Sequence, residues 1–127
     1  MTSQAAFGPP FFLLVSTLLA GCGTQRMYEG PPLAKDERAI VRADPVVSAG
    51  SPVQLRIRQV DGREVGLSAS SVELAPGPHE LLVDCRIAAS GSVGRFTVPA
   101  EVEAGGRYRL VAHTTARNCE AVALIGD

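Results

Sequence analysis

Apolar and polar residues alternate along several short stretches of this chain, and the clearest example covers residues 53–60. One side of that stretch carries Val53, Leu55 and Ile57, and the other carries Gln54, Arg56 and Arg58. A period of two with one apolar face is typical of a half-buried strand. Asp61 and Gly62 follow, and both residue types tolerate the positive φ angles of a two-residue hairpin turn. The pattern predicts a strand, a tight turn and a short return strand through Val65 and Leu67.

A second pattern, over residues 72–87, predicts two strands joined by a turn. Val72 and Leu74 end the first strand, and the segment 75–78, with two prolines and a glycine, favours a turn. The second strand has one mainly apolar face, formed by His79, Leu81, Val83, Cys85 and Ile87. Its polar face carries Glu80, Asp84 and Arg86.

Further alternating segments cover residues 39–42, 95–103, 108–112 and 120–125, with turn residues between them. Pro99 indicates that its strand lies at a sheet edge or contains a bulge, because proline cannot donate a hydrogen bond to a neighbouring strand. About seven short strands, and no amphipathic helical pattern, predict an all-β fold. We expect a small antiparallel β-sandwich.

An apolar run over residues 11–20 precedes all of these strands, and the composition then turns polar and rich in proline and glycine. The run is shorter than the roughly 20 apolar residues needed to cross a bilayer. It suits the apolar region of a secretory signal, with a buried core helix or a retained membrane anchor as the alternatives. The tetrapeptide at its end, Leu19-Ala20-Gly21-Cys22, resembles the lipobox of bacterial lipoproteins.

That resemblance implies a signal peptide over residues 1–21, which is removed, and a diacylglyceryl group on the sulfur of Cys22. A third acyl chain usually joins the new amino group. Each buried methylene of such chains contributes about 0.8 kcal/mol, so the anchor hardly dissociates. Gly23 follows the cysteine where aspartate would retain a lipoprotein at the inner membrane, which implies an outer-membrane location facing the periplasm. The covalent lipid is the only cofactor that we expect.

Residues 22–37 contain Gly30, Pro31 and Pro32 and show little hydrophobic periodicity. This composition predicts a flexible tether, followed by the β-sandwich domain over residues 38–127. The segment Tyr28-Glu29-Gly30-Pro31 resembles the opening of a group of small bacterial lipoproteins. We expect Tyr28 to pack on the flank of the domain, with a ligand-binding aromatic as the alternative.

The domain itself resembles a known kind of β-sandwich module. The pattern Leu74-x-Pro76-Gly77-x-His79-x-Leu81-x-Val83 resembles the strand, turn and strand of PEGA-type modules. The Pro-Glu-Gly-Ala tetrapeptide that names that family is missing. The chain therefore resembles the module in its strand and turn pattern, and we do not assign it to the family.

With Cys22 assigned to the lipid, Cys85 and Cys119 remain. An exported chain with two spare cysteines usually joins them, because the periplasm is oxidising. The disulfide would close a loop of 35 residues and contribute about 3.5–4 kcal/mol by the chain-entropy model. Two free buried thiols are the alternative. A metal site is not expected, because zinc sites usually contain closely spaced ligand pairs.

Candidate catalytic residues are few. The chain has two histidines, and His79 follows the Pro-Gly turn, where a ring nitrogen can bond a turn carbonyl, while His113 lies in a segment read as an exposed loop. No Gly-x-Ser-x-Gly, His-Glu-x-x-His or phosphate-binding glycine loop is present. We therefore do not expect an enzyme, and a small envelope hydrolase or inhibitor centred on His79 is the weakest of our hypotheses.

The charge pattern suggests a binding face instead. The formal net charge is -1, and with few aromatic residues this argues against nucleic acid as a partner. Arg56 and Arg58 share the polar face of one strand, and Arg107 and Arg109 share a face of another. If these strands were neighbours, four guanidinium groups could contact phosphates or acidic glycans. A solvated sheet face without a ligand is the alternative.

These observations predict a non-catalytic envelope lipoprotein that acts as an accessory, scaffold or recognition module. The membrane is its expected partner through the lipid, together with an envelope protein complex or peptidoglycan. A glycan- or peptidoglycan-binding module that uses the arginine-bearing face is the second hypothesis.

Overall fold

The structure is a computed structural model that describes residues 23–48, 51–115 and 117–127. The predicted signal peptide and Cys22 lie outside the described residues. The described residues form ten strands and no helix, which confirms the all-β prediction. The strands are β1 (Gly23–Arg26), β2 (Ala39–Arg42), β3 (Val46–Ser48), β4 (Ser51–Val60), β5 (Arg63–Glu64), β6 (Ala69–Leu74), β7 (Gly77–Ile87), β8 (Val93–Val102), β9 (Arg107–Thr114) and β10 (Cys119–Gly126). The count exceeds the predicted number of about seven mainly because β1 has no apolar alternation and β3 has only three residues.

The strands form two sheets of five strands each. Sheet A has the order β1-β6-β2-β9-β10, and sheet B has the order β3-β4-β7-β8 with β5 paired to β4. All pairs in sheet B are antiparallel, as predicted. Sheet A is mixed, since β1 pairs in parallel with β6 and β2 in parallel with β9. The antiparallel prediction is wrong for sheet A because these partners are distant in sequence, and local alternation does not reveal strand order.

The core lies between the two sheets and is filled by the apolar faces that the alternation predicts. From β7 it receives Leu81, Val83, Cys85 and Ile87, each at most 1% exposed. Sheet A contributes Val41, Val72, Leu74 and Leu110, all at most 2% exposed. Polar residues between these positions face solvent, which is the usual arrangement of a sandwich strand.

The turn between β6 and β7 carries the chain from sheet A to sheet B. The predicted strand, turn and strand are present, but the two strands lie in opposite sheets. Gly77 has a φ of +123°, a conformation that side chains with a Cβ rarely adopt. This glycine therefore allows β7 to begin immediately after the crossover.

The tether predicted over residues 22–37 requires correction, because the sheet already begins at Gly23. Strand β1 pairs with β6, and Thr24 Oγ1 lies 2.7 Å from Ser71 Oγ. Met27 is 7% exposed and belongs to the core. The segment shows no apolar periodicity because polar side chains and backbone hydrogen bonds hold β1 in the sheet.

Tyr28 packs on the flank of the domain, as expected. Its hydroxyl donates a hydrogen bond to the carboxylate of Glu73 and accepts one from the backbone N–H of Leu33 at 2.9 Å. The guanidinium of Arg26 lies 5.6 Å from the centre of the ring. These contacts connect the segment after β1 to the outer face of sheet A.

Two smaller predictions have different outcomes. Asp61 and Gly62 form the turn between β4 and β5, with φ angles of 50° and 81°. The return strand ends at Glu64, and Leu67 is 81% exposed, so the prediction that Leu67 continues this strand is wrong. Strand β8, which contains Pro99, lies at the edge of sheet B, as predicted.

A disulfide joins Cys85 of β7 to Cys119 of β10, with 6.3 Å between the Cα atoms. The predicted pairing is confirmed. Because β7 belongs to sheet B and β10 to sheet A, the bond crosses the sandwich and connects the two sheets.

Replacing both Cys85 and Cys119 by alanine should lower the free energy of unfolding by about 3.5–4 kcal/mol, because the unfolded chain is no longer constrained by a loop. Urea denaturation followed by circular dichroism measures this difference. Reduced wild-type protein serves as the control and should unfold at nearly the same urea concentration as the variant. Equal midpoints for the variant and the oxidised wild type would contradict the prediction.

Candidate arginine-bearing site

The four arginines proposed as one patch lie on two different sheets. Arg56 and Arg58 belong to β4 in sheet B, and Arg107 and Arg109 belong to β9 in sheet A. The side chains of both pairs point away from the core. The strands are therefore not neighbours, and the core separates the pairs. Local alternation identified the outward face of each strand correctly but did not indicate which strands share a sheet.

On sheet A, the carboxylate of Asp127 neutralises much of the positive charge. Its Oδ1 lies 3.0 Å from Arg109 Nε, and its Oδ2 lies 2.8 Å from Arg42 Nη2. Asp44 is a further acidic neighbour of Arg42, at 3.6 Å. Arg109 is thus engaged within the protein, and this face offers less unpaired positive charge than its sequence suggests.

On sheet B, arginines surround one carboxylate, that of Asp84. Its Oδ2 lies 3.1 Å from Arg58 Nη1, and its Oδ1 lies 2.8 Å from Arg95 Nε. The strand register places Arg56 on one side of Asp84 and Arg95 on the other. Sequence reasoning placed Asp84 on a polar face but missed its role, because the partners come from strands whose register could not be read from the chain.

Asp84 remains ionised in these surroundings. Partial burial opposes ionisation of the carboxyl, but the hydrogen bond and charge of Arg95, together with Arg58, outweigh it and hold the pKa of Asp84 below its usual value. The carboxylate thereby fixes Arg58 and Arg95 in position. The side chain of Asp84 is only 14% exposed, so most of its surface is covered by these neighbours.

Two guanidinium groups beside Asp84 are not held in this way. Among the described residues, Arg56 and Arg86 form no ion pair, in contrast to Arg58 and Arg95. Arg56 Nε is buried without a hydrogen-bond partner, as are Arg38 Nε and Arg42 Nε. Arg86 lies opposite Gln54 on the neighbouring strand. A groove of about 230 Å³ is lined by Gln54, Arg56, Asp84, Arg86 and Val93. We call this group of residues the sheet B site.

The histidines occupy different surroundings. His79 Nδ1 lies 2.6 Å from Asp61 Oδ2, and His79 Nε2 lies 2.6 Å from the carbonyl oxygen of Ala75. The expected bond to a turn carbonyl is therefore present, and the ring connects the β4–β5 turn to the β6–β7 crossover. His113 is exposed in β9 and not in a loop as predicted. Both ring nitrogens of His79 are engaged, so nothing in this geometry favours a hydrolase centred on it.

Comparison with protein-family models, with curated proteins and with solved structures finds no match for this chain. The resemblances to lipoproteins and to PEGA-type modules rest on the residues quoted for them.

In the part of the chain that the structure describes, no helix is long and apolar enough to cross a membrane. The same residues contain no group of three or more His, Cys, Asp or Glu side chains placed to hold a metal ion.

Replacing Asp84 by asparagine should flatten the decline of stability in acid. Because the folded-state pKa of Asp84 is lowered, its carboxylate stabilises the fold above the unfolded-state pKa of about 4. This contribution is lost as the pH falls through the folded-state pKa. The wild type should therefore lose stability more steeply than Asp84→Asn below about pH 5, as measured by urea denaturation.

Glu101→Gln is the matched control, because Glu101 is an exposed carboxylate of β8 with no ion pair found among the described residues. It should retain the wild-type slope. A decline in Asp84→Asn as steep as that of the wild type would show that the carboxylate does not stabilise the fold.

Proposed function

We propose that this chain is a non-catalytic, lipid-anchored module of the bacterial cell envelope that acts as an accessory, scaffold or recognition domain. The observation that carries the proposal is that Cys22, the cysteine of the lipobox-like motif, comes directly before β1. The carbonyl oxygen of Gly23 already accepts hydrogen bonds from the hydroxyls of Ser70 and Ser71, each at 3.2 Å. A lipid on Cys22 would thus be attached to the edge of a folded sheet.

The short distance between Cys22 and β1 would limit how far the domain can move away from the membrane. A flexible tether over residues 22–37 could extend to roughly 55 Å and let the domain sample a wide volume. With β1 beginning at Gly23, the domain would instead rest against the lipid headgroups. We propose the outer membrane, on the periplasmic side, as its location.

An exposed apolar side chain lies near the proposed anchor. Leu67 comes two residues before Ala69, which is paired with Gly23, and the adjacent Gly66 N–H donates to Gln25 Oε1 at 2.7 Å. The side chain of Leu67 is 81% exposed. In an anchored domain it would contact the bilayer surface and add apolar contact to that of the acyl chains.

The disulfide supports export from the cytoplasm. Disulfides persist in oxidising compartments such as the periplasm and are rare where glutathione keeps thiols reduced. The Cys85–Cys119 bond joins a fully buried cysteine to the start of the last strand. This arrangement fits a small exported domain whose apolar core is modest.

Metabolic labelling of cells with an alkyne fatty acid tests the anchor. The wild-type protein should acquire the label and remain in the membrane fraction, whereas Cys22→Ala should do neither. Cys119→Ala controls for loss of a cysteine elsewhere and should still be labelled. Labelling that persists in Cys22→Ala would overturn the proposal.

A second candidate function is recognition of an acidic glycan. The observation that favours it is the cluster of arginines around the Asp84 carboxylate on the outer face of sheet B, formed by Arg56, Arg58, Arg86 and Arg95. The exposed carboxylates of Glu80 and Glu101 lie on the same face, nearer the start of β7. In this reading the lipid anchors the domain and the arginine-bearing face holds the ligand.

A further inference from the structure

We propose that Arg56, Arg86 and Gln54 form an oxyanion site on the outer face of sheet B, and that its ligand is a carboxylate group of peptidoglycan. This inference deepens the second candidate function and rests on the proposed envelope location, which supplies the ligand. It assigns distinct tasks to the arginines around Asp84. Two of them build the site, and the other two are held in place by the carboxylate.

The strand register brings the two free guanidinium groups together. Arg56 lies opposite Asp84, and Arg86 lies opposite Gln54 on the same pair of strands. Arg56 and Arg86 are therefore diagonal neighbours on one face, and such positions are about 7–8 Å apart. Arginine side chains bridge this separation easily. Both line the same groove with Gln54.

The donor pattern of this pair suits a planar oxyanion. Each guanidinium presents several N–H groups in a fixed fork that matches the two oxygens of a carboxylate. Within the described chain, neither Arg56 nor Arg86 forms an ion pair with an acidic side chain, whereas Arg58 and Arg95 do. A bound carboxylate would accept hydrogen bonds from the guanidinium groups that line the groove, and the amide of Gln54 can donate a further one.

Asp84 does not prevent an anion from binding at this site. Its two oxygens are engaged by Arg58 and Arg95 at 3.1 and 2.8 Å. These two arginines offset its charge and leave the charges of Arg56 and Arg86 in excess. The Asp84 carboxylate thus holds the guanidinium groups of Arg58 and Arg95 in fixed positions on this face.

The shape of the site favours a polymer over a small enclosed ligand. The groove lies on the outer face of sheet B and is lined by residues of three neighbouring strands, so an extended chain can cross it. Val93 borders the groove and is 58% exposed. It offers an apolar contact for the carbon-bearing face of a sugar or for a stem-peptide methyl group.

The position of the site favours the cell wall over the membrane that holds the anchor. Strand β1, which follows Cys22, lies at the edge of sheet A, whereas Arg56 and Arg86 lie on β4 and β7 in the middle of sheet B. Packed sheets are about 10 Å apart. The site and the outer face of sheet A therefore lie on opposite sides of the core. It can therefore face away from the bilayer while the domain is anchored.

Co-sedimentation of the purified, detergent-solubilised lipoprotein with isolated peptidoglycan sacculi tests the inference. The wild type should pellet with native sacculi and should not pellet with sacculi whose carboxyl groups have been amidated. Arg56→Gln/Arg86→Gln should lose roughly tenfold or more in affinity, because two charge-assisted interactions are removed. Arg107→Gln/Arg109→Gln, with the same change in charge on sheet A, should bind within about twofold of the wild type.

A more conservative variant keeps the test decisive if the double variant folds poorly. Arg56→Lys retains the charge but loses the planar fork, so its affinity should fall while its circular dichroism and disulfide remain those of the wild type. Wild-type affinity in Arg56→Lys and in the double variant would overturn the site.

Other outcomes would also overturn the proposal. Equal losses in the sheet A and sheet B variants would indicate non-specific charge attraction. Unchanged binding to amidated sacculi would exclude a carboxylate as the ligand. Binding to vesicles of phosphatidylglycerol that is weakened in Arg56→Gln/Arg86→Gln, with no binding to sacculi, would assign the face to the membrane. Every comparison is made between proteins that share Cys22, so failure of the lipid proposal would be seen separately in the labelling experiment.

Discussion

The disulfide between Cys85 and Cys119 is the constraint on which the rest of the sandwich depends. It connects β7, a central strand of sheet B, to β10, an edge strand of sheet A. The chain has no tryptophan, and the core is built mainly from valine, leucine, isoleucine and alanine, so burial alone gives a small domain modest stability. Residues Val122 and Leu124 of β10 are only partly buried against this core. The covalent bond holds their strand in place and thereby closes one side of the sandwich.

The disulfide fixes the sheets to each other, and two surfaces on different sheets then have different properties. The edge of sheet A begins at Gly23, next to the cysteine of the lipobox-like motif, and it carries the exposed Leu67 nearby. The outer face of sheet B presents Arg56 and Arg86 beside the Asp84 carboxylate. A domain anchored at the first of these surfaces leaves the second free. The proposed anchoring and recognition surfaces are therefore separated by the core and would not compete with each other.

Alternation along single strands was visible in the sequence, whereas relationships between strands were not. The buried positions of β7, from Leu81 to Ile87, follow directly from the period of two. The same pattern showed that Arg56 and Arg107 point outward, but not that their strands belong to different sheets. The Asp84 cluster depends on the register of three strands. The composition around β1 predicts a tether because this strand is held by backbone pairing and polar contacts, which produce no pattern of apolar residues in the sequence.

We propose that the domain rests on the membrane near β1 and directs the sheet B site away from it. Because the chain has no tryptophan, Leu67→Trp and Val93→Trp each give a single fluorescent reporter at an exposed apolar position. The lipidated variants would be compared in vesicles of phosphatidylcholine with brominated acyl chains, which quench tryptophan on contact. Contact of the β1 edge with the bilayer predicts blue-shifted, strongly quenched emission for Leu67→Trp and unquenched emission for Val93→Trp. Quenching of the Val93 reporter as strong as that of the Leu67 reporter would contradict it.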